Sequence, residues 1–81
     1  MTYKTKGVCS QAIHFEVDEN QKVHNVHFIG GCDGNTKGIA SLVEGMDADE
    51  VIQRLEGIQC GFKSTSCPDQ LSKALKQALN K

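Results

Sequence analysis

The hydrophobic pattern changes period partway along the chain, and this change constrains the fold more than any other feature. In residues 12–17, Ile13, Phe15 and Val17 alternate with Ala12, His14 and Glu16, the period-two signature of a half-buried strand. Residues 23–29 resume in the same style, with Val26 and Phe28 on one face. Val23 and Ile29 have the opposite parity, which predicts that both faces of this strand are partly covered. The polar stretch Asp18-Glu19-Asn20-Gln21 between the two segments is turn-like, so together they read as an antiparallel hairpin. Residues 3–8 add a short edge strand.

Further on the period becomes 3.6. Ile39, Leu42, Val43 and Met46 fall at i, i+3, i+4 and i+7, with Gly45 as C-cap. Asp47 with Glu50 three residues later reads as an N-terminal capping signal, and Ala48, Val51, Ile52 and Leu55 repeat the helical stripe up to Gly57. The last stripe is Leu71, Ala74, Leu75, Ala78 and Leu79, in a helix opened by Pro68, whose missing N–H costs nothing at a first helical position. Strands followed by helices predict an α+β domain: a small antiparallel sheet of two or three strands with three helices packed on one face. The expected core is Ile13, Phe15, Val26, Phe28, Ile39, Leu42, Val43, Val51, Ile52, Leu55, Leu71, Leu75 and Leu79.

With 81 residues there is room for one domain, 1–81. Nine Lys and Arg against ten Asp and Glu leave a net charge of −1, so no basic field supports binding to nucleic acid or to a membrane surface. The longest aliphatic or aromatic runs, such as Phe28-Ile29, are two residues long, far short of a membrane span. Met1-Thr2-Tyr3-Lys4-Thr5-Lys6 offers no apolar signal region, which makes the cytoplasm the expected compartment. A domain this short buries a modest core and often draws on a metal, a disulfide or a partner for stability.

The four cysteines are the obvious supplement. Cys9, Cys32, Cys60 and Cys67 are separated by 22, 27 and 6 residues, so no pair forms the CxxC of a zinc ribbon or thioredoxin. None lies within an apolar stripe; all stand at the ends of expected elements, flanked by glycine, serine or proline. A hairpin brings the residue before its first strand and the residue after its second to one end of the sheet, so Cys9 and Cys32 are expected to face each other. Cys32 and Cys67 each stand near an expected helix N-terminus, where unpaired N–H groups favour a thiolate. Four converging thiolates suit zinc or an iron–sulfur cluster. Two disulfides would need an oxidising compartment, and inert buried thiols would fall on apolar faces. A thiol redox carrier using Cys60 and Cys67 is the remaining alternative.

Two resemblances meet at these residues. Thr65-Ser66-Cys67-Pro68-Asp69 spells TSCPD, and the whole chain resembles the free-standing members of the TSCPD-domain family: small bacterial four-cysteine proteins. The same domain is the C-terminal module of cobalamin-dependent ribonucleotide reductases. The resemblance implies a metal-binding accessory, with no catalytic activity alone, linked to ribonucleotide reduction through a protein partner: the reductase or a metal-pathway protein. The order of features is also similar to iron–sulfur scaffolds of the NifU/IscU type. The matching positions are Cys9, Gly31-Cys32, Leu42-Val43-Glu44-Gly45, Asp49-Glu50 and Ser66-Cys67. Here Gln11 replaces the scaffold's acidic residue, Ser66 replaces its histidine, and Cys60 is additional. Those departures imply a retained metal rather than a cluster handed on; a cluster or sulfur-transfer scaffold is the alternative.

Other motifs carry less. Gly30, Gly31, Gly34 and Gly38 fit neither the Walker A nor the GxGxxG spacing and read as backbone clearance around Cys32. His14 opposes the apolar parity of its strand and is expected in solvent. Strict alternation puts His24 and His27 on opposite faces of theirs. Asp33, Asp47, Asp49, Glu50 and Glu56 read as caps and solvated faces, and no catalytic residue is expected.

Overall fold

In the computed structural model the described residues are 1–5, 10–30, 33–59 and 65–80. They form strands β1 (Thr2–Lys4), β2 (Ser10–Val17) and β3 (Val23–Gly30), then helices α1 (Asp33–Val43), α2 (Ala48–Leu55) and α3 (Cys67–Ala78). The sheet has the order β1-β2-β3 and both pairings are antiparallel. This is the expected α+β architecture. The edge strand runs from Thr2 to Lys4, and residues 6–8 of the expected strand lie outside the described residues.

Asp18 makes the hairpin turn. Its Oδ1 accepts from the backbone N–H groups of Asn20 and Lys22, both at 2.9 Å, while Gln21 takes a φ of 60°. A side-chain acceptor here replaces backbone partners that the tight reversal would leave open.

The hairpin register explains an apparent conflict in the sequence. His14 pairs with His27 and Glu16 with His24, so Phe15 alone is opposed by both Asn25 and Val26. This is a β-bulge, and Asn25 carries it with a φ of 56°, in the left-handed region that asparagine tolerates better than most residues. The extra residue inverts the alternation. Val23 therefore joins Phe28 in the core, and Ile29 lies on the other side, 42% exposed. The expectation that Val23 and Ile29 share a face is corrected, as is the assignment of His24 and His27 to opposite faces. A second irregularity falls between Ser10 and Ala12.

The buried face of the sheet supplies Ile13, Phe15, Val23 and Phe28 to a core completed by Val43, Ala48, Val51, Ile52, Leu71, Ala74 and Leu75. Val26, Ile39, Leu55 and Leu79 pack partly buried against it. Leu42 does not: it is 78% exposed. Helix α1 turns Thr36, Ile39 and Val43 inward, and Leu42 sits about 100° round the helix from Val43. It was expected in the core because it shares the heptad-like spacing, yet it lies on the outer flank of that stripe.

The α1–α2 link is stitched to the start of β3. Gly45, with a φ of 78°, donates its N–H to Val23 O at 2.7 Å, and Val23 N–H donates to Met46 O at 2.9 Å. Ala48 N–H then donates to Gln21 O at 2.9 Å. Asp47 occupies the N-cap position of α2 but makes no side-chain cap bond; its Oδ1 accepts from Lys22 Nζ at 2.6 Å instead. Helix α1 lies mainly on β3, α2 on α3, and α3 also reaches β2. Gly34 and Gly38 belong to α1, which opens six residues before Ile39.

Candidate functional site

The segment Thr65-Ser66-Cys67-Pro68-Asp69 forms the start of α3, and four of its five residues have structural tasks. Ser66 is the N-cap: its Oγ accepts from Asp69 N–H at 3.2 Å and donates to Ile58 O at 2.6 Å. Pro68 lies in the first turn, where no N–H is missed. Thr65 Oγ1 donates to Asp69 Oδ2 at 2.5 Å and accepts from Gln70 Nε2 at 2.9 Å. Asp69 is 3% exposed, and its Oδ1 also accepts from Gly57 N–H at 2.7 Å. Gly57 has a φ of 83° just beyond the end of α2. One buried carboxylate thus ties the end of α2 to the beginning of α3.

Burial alone would push the Asp69 carboxyl up. The Thr65 hydroxyl, the Gly57 N–H and the Lys73 ammonium, 3.3 Å away, outweigh it and hold the group below the usual carboxylate value. Asp69 therefore stays ionised, acting as a fixed acceptor. Its signal in the sequence is Ser66 followed three residues later by an acid, the pattern of a helix start.

What remains of the segment is Cys67. It is the first residue of α3 and is half-buried against the core. Its neighbours fix its backbone on both sides, so the helix start presents it from a rigid frame.

Cys9, Cys32 and Cys60 lie outside the described residues. A residue beside each of them is described: Gln59, which precedes Cys60, is exposed, and Ser10, which follows Cys9 in the chain, pairs with Gly30 across the hairpin. Asp33, which follows Cys32, begins α1. Among the described residues no group of three or more His, Cys, Asp or Glu side chains could hold a metal ion.

The three histidines are all on the outer, solvent side of the sheet, because the bulge brings His24 and His27 to one face with His14. His24 is held from two directions. Its Nδ1 meets Glu44 Oε2 at 2.5 Å and its Nε2 meets Asp18 Oδ2 at 2.8 Å. Ionised carboxylates can only accept, so this arrangement favours the imidazolium form, in which both ring nitrogens donate. The hydrogen bond to Glu44, followed by that to Asp18, raises the His24 pKa above the ordinary imidazole value. The Glu44 carboxyl is held below its usual range, first by Asn25 N–H and then by His24. His24 is thus a clasp joining the hairpin turn to the α1–α2 link.

Among the described residues, no helix is long and apolar enough to cross a membrane. Neither the curated proteins nor the solved structures give a match. The resemblance to iron–sulfur scaffolds gains no support from these comparisons. The family model for the TSCPD domain matches residues 1–79, nearly the whole chain and including the capped helix start just described. The chain belongs to the TSCPD domain family.

Proposed function

We propose that this domain binds one metal centre, zinc or an iron–sulfur cluster, through Cys9, Cys32, Cys60 and Cys67. In this reading it serves without catalytic activity of its own as a cytoplasmic accessory to a protein partner, a ribonucleotide reductase or a protein of a related metal pathway. The observation that supports this most is the start of α3, where a buried polar network fixes the residues on either side of one half-buried cysteine. Ligand side chains bind best when a second layer of hydrogen bonds has already oriented them.

Two further features agree with it. Ser10 and Gly30 pair at the open end of the hairpin, and they are the described residues nearest in sequence to Cys9 and Cys32 on the strands β2 and β3. The C-terminal half of α3, at Ala74, Gln77 and Ala78, lines a hollow with residues 1–4 and Phe15, near the turn end of β2. Thiolates from the open end of the hairpin and from the start of α3 would suit a tetrahedral sulfur set.

The test is purification without oxygen, metal analysis and a visible spectrum, followed by the four single Cys→Ser variants. Equal loss of metal in all four, with a lower melting temperature, supports a closed four-thiolate site. A cluster that survives Cys60→Ser but not the other three substitutions would instead mark a scaffold. Metal-free protein whose melting is indifferent to chelator, with a reversible Cys60–Cys67 bond on mild oxidation, would replace both readings with a redox carrier.

A further inference from the structure

The outer face of the sheet carries two imidazoles opposite one another that no other interaction uses up. Met1 and Phe15 exchange backbone hydrogen bonds, Met1 N to Phe15 O at 2.8 Å and Phe15 N to Met1 O at 2.9 Å. Phe15 therefore turns its backbone groups to β1, and His14 turns its own to β3. His14 and His27, which are partners in the register, thus form a hydrogen-bonded antiparallel pair. In such a pair the Cα atoms are about 5.5 Å apart and both side chains rise from the same face.

His27 is exposed and His14 half-buried. Among the described residues the His27 ring has no hydrogen bond or ion pair. The His14 ring has one contact: Nδ1 lies 3.4 Å from Thr2 Oγ1, which can accept its proton and leave Nε2 as a lone-pair donor. The neighbouring polar groups are already engaged. His24 is taken by Asp18 and Glu44, and Glu16 Oε2 accepts from Asn25 Nδ2 at 3.0 Å.

We infer that His14 and His27 form a two-imidazole site for a borderline divalent transition ion such as Zn²⁺ or Ni²⁺, with water completing the coordination. Imidazole nitrogen suits these ions, whereas Mg²⁺ and Ca²⁺ prefer oxygen. Two ligands make it an open, exchanging site, in contrast to a closed thiolate set. It stands about 13 Å along β2 from Ser10, and its argument does not depend on the cysteines. The β-bulge at Asn25 leaves the His14–His27 register intact and brings His24 to the same face.

The experiment is a titration of the full chain, first freed of metal by dialysis, with Zn²⁺, followed by ¹H–¹⁵N spectra of the imidazole rings. The expected result is that the His14 and His27 ring signals change together as Zn²⁺ is added, while those of His24 stay in place. His14→Asn and His27→Asn should each weaken the Zn²⁺ affinity read from these rings about a hundredfold, because the second ligand acts intramolecularly once the first has bound. Mg²⁺ should leave all three rings unchanged. If the two rings respond independently or not at all in the unmodified chain, or if either substitution leaves the affinity unaltered, there is no such site. The ring signals come from the native chain, so the test holds even where a variant folds poorly.

Discussion

Asp69 Oδ1 accepts the backbone N–H of Gly57 at 2.7 Å, across a connection that joins α2 to α3. A carboxylate in the first turn of one helix thereby anchors the end of the other, and Cys67 stands two residues before it. In Asp69→Ala, the Gly57 N–H and the Thr65 hydroxyl lose their acceptor inside the protein. The Thr65 hydroxyl is buried, and an unsatisfied buried group costs about 1–3 kcal/mol; Gly57 is exposed and can turn its N–H to water, so the expected loss lies within that range. Asp69→Asn should lose less, since its carbonyl oxygen keeps one of the two bonds. Urea unfolding of the two variants checks both the size and the order.

The His24 clasp gives stability a dependence on pH in the neutral range. The folded pKa of His24 lies above that of the unfolded chain. Its contribution is therefore fully present below the ordinary imidazole value of about 6.5 and is lost as pH rises through the higher folded value. Asp18 and Glu44 are shifted downward, so their contributions are present at neutral pH and disappear only in acid, as pH falls through their lowered values. Melting temperature should thus decline as pH rises above about 6.5. His24→Asn should flatten this decline, and an unchanged slope would show that the clasp is not the source.

The bulge residue is testable through its backbone. Asn25 holds a φ of 56° and its N–H donates to Glu44 Oε1 at 2.9 Å. Valine in that conformation suffers the clash of a branched Cβ with the backbone, a cost of about 1–2 kcal/mol. Asn25→Gly keeps the conformation and the N–H and should change stability by less than Asn25→Val. Thermal melts of the pair compare them directly.

Core membership separates two leucines of similar sequence appearance. Leu71 is fully buried, whereas Leu42 is 78% exposed. Leu71→Ala should cost about 2–5 kcal/mol, as deletions in packed cores do. Leu42→Ala should fall within about 0.5 kcal/mol of the parent, the usual range for surface changes. Equal losses would mean that Leu42 is covered in solution.

The sequence by itself determined the class of fold, because side-chain period follows directly from backbone geometry. Ile13, Phe15 and Val17 could only be a half-buried strand, and Leu71, Ala74, Leu75 and Ala78 only a helix face. It also carried the family, in the five residues from Thr65 to Asp69. The positions decided by tertiary structure were those where one residue changes the phase of a pattern or where partners are far apart in sequence. The bulge at Asn25 depends on pairing with β2 and on the Glu44 carboxylate nineteen positions away, so strict alternation put Val23 and His24 on the wrong faces. Leu42 fits the helical period, but only the docking of α1 on β3 shows which flank of its stripe meets the sheet. The task of Asp69 is hidden for the same reason: its acceptor role exists only when Gly57, twelve residues earlier, is brought beside it by the packing of α2 on α3.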